Sequence, residues 1–182
     1  MTQRTGCLAN LRTIGMGLLT YAADNQGHLP PGLVWDRRIA SSYLGGSEDN
    51  SHPMEIFHCP ADERDFTEDW PRSYVANRTS NNRPTYGVFN TSTTEPSMKL
   101  NHLEYPGRTI MLTELFRGGW AANRQFSTSY GVIDGWLAPR ATSSYAHGDG
   151  QNYLFCDGHV ESLNDEEMIY TSYGKSRWSR EF

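Results

Sequence analysis

The clearest pattern in the chain is a helical stripe near its beginning. Between residues 7 and 25, Cys7, Leu11, Ile14, Leu18, Tyr21 and Ala22 fall on one face at about 100° per residue, flanked by Leu8, Gly15 and Leu19. Arg12, Thr13, Thr20 and Asp24 lie opposite. Thr5 is the expected N-cap, Gly27 the expected left-handed residue after the last turn, and Pro30-Pro31 forbids continuation. A lone amphipathic helix of this length cannot bury its stripe, so a sheet is expected to receive it.

Beyond residue 33 the pattern loosens. Residues 39–44 read as a short helix, and 85–89 and 108–115 as strands. The second strand, carrying Thr109-Ile-Met-Leu-Thr113 after Pro106-Gly107, has the continuous β-prone run of a buried strand. Asn81-Asn-Arg-Pro84 and Thr91-Ser-Thr-Thr-Glu-Pro96 read as loops, and glycines and tryptophans over 118–136 as a long loop excursion. Near the end, Asp157-Gly158 separates two short strand-like runs. It predicts a hairpin pairing 153–156 with 159–163 through a type I′ turn, which needs positive φ at both central residues. The expected fold is α+β, a single domain over 1–182 without repeat or linker.

Composition narrows the function classes. The 182 residues carry a net charge of −5, and no basic cluster exceeds Arg37-Arg38, so nucleic-acid binding through a basic face is excluded. No apolar run approaches the roughly 20 residues of a membrane helix, and no signal peptide is evident. Cys7, Cys59 and Cys156 are too few for a disulfide scaffold, and their odd number leaves at least one unpaired.

Six short motifs follow one another in order. They are Cys7-Leu-Ala-Asn-Leu-Arg-Thr-Ile-Gly15, Tyr21 to Pro31 with its Asn-Gln-Gly turn, Cys59-Pro-Ala-Asp62, Ser73-Tyr-Val-Ala-Asn77, a strand ending in Glu114, and His147 followed after nine residues by Asp157-Gly158. Together they resemble type II secretion pseudopilin-like proteins. The likeness is to the bacterial group with a prepilin-type N-terminal cleavage and methylation segment and a C-terminal His-x9-Asp-Gly signature. The resemblance touches residues 7–163. It implies a pilin-like fold: residues 1–27 form the C-terminal part of a stem helix, packed on an antiparallel sheet with long irregular loops over 28–182. It further implies a non-enzymatic structural subunit of an envelope assembly, with other pseudopilins or further copies of itself as partners through the N-terminal helix. The family's apolar N-terminal stretch is not within the sequence. The expectation is therefore a periplasmic or extracellular domain that the full-length protein anchors to the inner membrane.

Several chemistries stay open beside that reading. The resemblance suggests a Cys7–Cys59 bridge, against two separately buried thiols. His147, Asp149, Asp157 and His159 are possible metal ligands. Calcium, the one cofactor considered, would use the oxygens of Asp149, Gln151, Asn152 and Asp157. Alternatively Asp157 serves the turn, and His147 bonds a backbone carbonyl or Glu114 to lock the hairpin to the core. A Cys156 nucleophile with His147 or His159 is the enzymatic alternative, set aside because no hydrolase motif accompanies it. Trp35, Trp70, Trp120 and Trp136 would be the platforms of a glycan- or polymer-binding module, the alternative function.

Overall fold

The computed structural model describes residues 3–46, 55–63, 72–79, 87–114, 132–134, 147 and 150–163. Helix α1 spans Gln3–Asp24 and buries Cys7, Leu11, Ile14, Gly15, Gly17, Leu18 and Ala22. It begins four residues before the expected start, so Thr5 lies inside the helix rather than capping it. At its end Gln26 already adopts a left-handed φ of 57°, with Gly27 next at 87°. The Gly27 N–H donates to Ala22 O at 2.7 Å, the closing bond of a Schellman end. Helix α2, Trp35–Tyr43, packs across α1. It starts four residues before the expected 39, because Trp35 and Asp36 are buried with Ile39 and Ala40 on the same inner face.

The strands are β1 (Tyr74–Arg78), β2 (Ile110–Glu114), β3 (Val132–Asp134), β4 (Gln151–Phe155) and β5 (Val160–Leu163), in the spatial order β3-β1-β2-β4-β5. β1, β2, β4 and β5 form an antiparallel sheet, with Tyr74 opposite Glu114 and Thr113 opposite Tyr153. The chain is thus α+β, an N-terminal helix on a four-stranded antiparallel sheet. Two features depart from expectation. β3 joins the edge parallel to β1, and it falls within the stretch read as a loop excursion. The described part of the expected 85–89 strand is not a strand either. Gly87 turns it with φ 75°, and Val88 and Phe89 both donate to Asn77 O.

Helix and sheet meet closely at one glycine. A Cβ on Gly15 would lie 2.7 Å from Leu154 Cδ1, so the absence of a side chain lets α1 lie down on β4. The enclosed core includes Leu11, Ile14, Leu18, Trp35, Phe57, Phe89, Leu112 and Leu154. Trp35 is wholly buried, in edge contact with Phe57, and so is removed from the candidate glycan platforms. Trp70, Trp120 and Trp136 lie outside the described residues. No helix among the described residues is long and apolar enough to cross a membrane.

The hairpin turn also differs from expectation. Phe155 pairs with His159 through a 2.9 Å bond from Phe155 N to His159 O, leaving Cys156, Asp157 and Gly158 in the loop. Gly158 N donates to Phe155 O at 3.0 Å, and Gly158 alone has positive φ, at 93°. This is a three-residue loop ending in a left-handed glycine, not a type I′ turn. Asp157 instead uses its side chain, accepting from His159 N at 3.1 Å.

Candidate functional site

Residues from five of the six sequence motifs converge at one end of the sheet. In Cys59-Pro-Ala-Asp62, Asp62 N donates to Cys59 O at 2.8 Å, closing a β-turn with Pro60 at the position where its fixed φ is favoured. Ser73 holds that turn from below. Its hydroxyl donates to Asp62 Oδ2 at 2.6 Å and accepts from Cys59 N at 3.0 Å. Asn10, one turn beyond Cys7 on α1, donates its side-chain amide to His58 O at 3.0 Å. The helix is therefore docked beside the Cys-Pro turn by a polar contact as well as by apolar burial.

That docking brings Cys7 and Cys59 together as a disulfide, with Cα atoms 4.9 Å apart and a sequence separation of 52. In the chain-entropy description, closing a loop of that size stabilises the fold by about 4 kcal/mol. Both sulfurs belong to fully buried residues.

Against the disulfide sits a buried acid–imidazole pair. Glu114, the last residue of β2, is fully buried, a position a carboxylate occupies only when its oxygens are bonded. Asn152 N donates to Oε2 at 3.0 Å and Asn152 Nδ2 to Oε1 at 2.9 Å. His147 Nε2 lies 3.1 Å from the same Oε1, its side chain only 4% exposed. His147 Nε2 is also 3.8 Å from Cys59 Sγ, and Glu114 Oε1 is 3.7 Å from that sulfur. Gln151 completes the frame by donating to Thr113 Oγ1 at 2.7 Å and to the Glu114 carbonyl. Burial pushes the Tyr74 phenol well above its ordinary range, and the nearby Glu114 charge adds to the effect.

Among the described residues, the candidate calcium ligands Gln151, Asn152 and Asp157 do not gather here. Gln151 and Asn152 are buried and turned toward Thr113 and Glu114. Asp157 lies in the loop beyond the far end of β4, on the order of 10 Å or more along the strand. Asp149 lies outside the described residues. The side-chain N–H groups of Gln151 and Asn152 are committed within the sheet, at the opposite end of β4 from Asp157.

Cys156 and His159 do not form a dyad. The ring of His159 stacks on Phe155 at 4.3 Å and pairs with Asp157 Oδ1 at 2.6 Å. Cys156 is a free, buried cysteine, and desolvation pushes its thiol far above the ordinary range, opposite to the shift a nucleophile requires. His147 pairs with Glu114 and the disulfide instead.

Of Asn10, Asp62, Ser73 and Asn152, sequence singled out only Asn152, and as a calcium ligand rather than as the partner of Glu114. The signal for three of them was membership of the motifs, since each is a polar residue at a fixed offset from Cys7, Cys59 or Tyr74. The buried Arg72–Asp36 ion pair had no sequence signal. What the arrangement does chemically is hold four chain segments together out of water: the start of α1, the Cys-Pro turn, the end of β2 and the segment entering β4. Comparison with protein-family models, curated proteins and solved structures gives no match to this chain.

Proposed function

We propose that the chain is the globular domain of a pseudopilin-like structural subunit, acting in an envelope assembly of the type II secretion or type IV pilus kind. The observation that carries this reading is the seating of the N-terminal helix. α1 lies on an antiparallel sheet and is covalently pinned at Cys7, within two turns of its first residue. Such a junction would pass assembly forces from a stem to its head. The disulfide suits an oxidising compartment, in keeping with a periplasmic or extracellular domain.

The apolar stripe of α1 is buried within the domain and so is not free to bundle stems along residues 7–22. Under this reading neighbouring stems would meet the opposite face, where Ala9, Arg12, Met16, Thr20 and Ala23 are exposed. The membrane anchor would belong to an apolar segment continuous with α1.

The test is the mature N-terminus of the full-length protein isolated from its native membranes. Intact-mass and N-terminal peptide analysis is expected to show prepilin-peptidase cleavage and an N-methylated first residue. An unprocessed or signal-peptidase-cleaved terminus would sink the proposal and favour a secreted binding module.

A further inference from the structure

The buried junction contains more than a disulfide requires. Cys7, Cys59, Glu114 and His147 each present one ligand-type atom, and these atoms all lie within 4.8 Å of one another. Two sulfurs, an imidazole nitrogen and a carboxylate oxygen are the donor types of a four-coordinate zinc site. With Zn–S near 2.3 Å and Zn–N and Zn–O near 2.1 Å, a tetrahedral site places its sulfur ligands about 3.6 Å from nitrogen or oxygen, and nitrogen about 3.4 Å from oxygen. Here Cys59 Sγ stands 3.8 Å from His147 Nε2 and 3.7 Å from Glu114 Oε1, while His147 Nε2 stands 3.1 Å from Glu114 Oε1. Three ligand–ligand separations therefore already fall within a few tenths of an ångström of the zinc geometry. The remaining requirement is that the two sulfurs part.

Parting them is what reduction does. We propose that the reduced chain binds one zinc ion through Cys7, Cys59, Glu114 and His147, so that metal and disulfide are alternative staples of the same junction. A dithiol or phosphine reductant supplies two electrons, the sulfur–sulfur bond breaks, and two protons from solvent complete the thiols. Zinc then displaces those two protons to solvent and binds between His147 Nε2 and Glu114 Oε1; any hydrogen on Nε2 leaves to solvent, and the neutral imidazole carries its hydrogen on Nδ1. Asn152 is already in the supporting role, since its backbone and side-chain N–H groups orient the Glu114 carboxylate. Zinc rather than calcium fits because two of the four donors are thiolates.

The experiment compares the oxidised chain with one reduced by a water-soluble trialkylphosphine without denaturant. Each is equilibrated with zinc chloride or cobalt chloride and freed of excess metal. The expected result is about one metal per reduced chain, none per oxidised chain, and cobalt spectra with thiolate charge-transfer and tetrahedral visible bands. Cys156→Ala should bind as the parent does, whereas His147→Ala and Glu114→Gln should each weaken zinc by roughly tenfold or more. Circular dichroism accompanies every sample. A reduced, folded chain that takes up no zinc overturns the proposal. So does binding indifferent to both His147→Ala and Glu114→Gln, or a reduced chain that loses its fold and does not regain it with zinc.

Discussion

The two ends of the His-x9-Asp-Gly segment are built on opposite principles. At His147 the side chain is withdrawn from water and faces a buried carboxylate and a disulfide. At Asp157 the carboxylate is 42% exposed and, among the described residues, bonds to its own turn and to His159. The first end joins segments distant in sequence, at separations of 33 for His147 and Glu114 and 88 for His147 and Cys59. The second is local and is held against the helix mainly by shape, since a Cβ on Gly158 would lie 2.7 Å from Leu19 Cδ1. A spacing that looks like one motif is thus two devices at opposite ends of a hairpin, and their energetic weights should differ.

That difference can be broken most severely at Glu114. Glu114→Ala removes the acceptor of two Asn152 N–H groups and the partner of His147, and leaving buried groups unpaired is expected to cost about 3–5 kcal/mol in urea unfolding. Next comes the covalent contact: Cys59→Ser in the oxidised chain should lose about 4 kcal/mol by the loop-closure argument. At the turn, Gly158→Ala places a side chain at φ 93° and should cost about 1–2 kcal/mol. Asp157→Ala, by contrast, should shift stability by less than about 1 kcal/mol. If Asp157→Ala proved as damaging as Glu114→Ala, the division between the two ends would be wrong.

The smallest effect concerns pH. Cys156 and Tyr74 both have their neutral forms favoured by burial, so their folded-state values lie above the unfolded ones. Their contribution is complete below the ordinary thiol and phenol range and is lost as pH rises through and beyond it. Urea midpoints should therefore fall above about pH 9, and Cys156→Ala should flatten the lower part of that decline. In native protein a thiol reagent should find Cys156 unreactive, and one thiol should appear on unfolding with the disulfide intact.

How much of this was legible in the chain depended on whether an element left a helical spacing or an unbroken apolar run. α1 and β2 were readable, the first because its buried positions recur at helical spacing and the second because Ile110 to Leu112 form a continuous apolar run. β1 was not, because Tyr74, Val75, Ala76 and Asn77 are all buried and so show no alternation. Asn77 also looks like a loop residue until its amide is seen donating to Ile110 O at 2.8 Å. Asp157-Gly158 announced a hairpin correctly but not its loop length, because a left-handed glycine satisfies both two- and three-residue loops. Glu114 was one of two partners considered for His147, yet the polar frame around it could not be read from spacing. Asn10 reaches His58 across 48 residues, and Ser73 reaches Cys59 across 14.

The position of the disulfide has a mechanical consequence. Tension entering at the start of α1 meets a covalent crossing at Cys7 and passes directly to Cys59. Residues 8–58, which hold most of α1 and the whole of α2, are then shielded from a pull applied at the chain ends. In single-molecule extension the oxidised domain should release roughly 180 Å less contour length than the reduced one. Neither the helical part of that loop nor its connection would carry load directly while the strands give way.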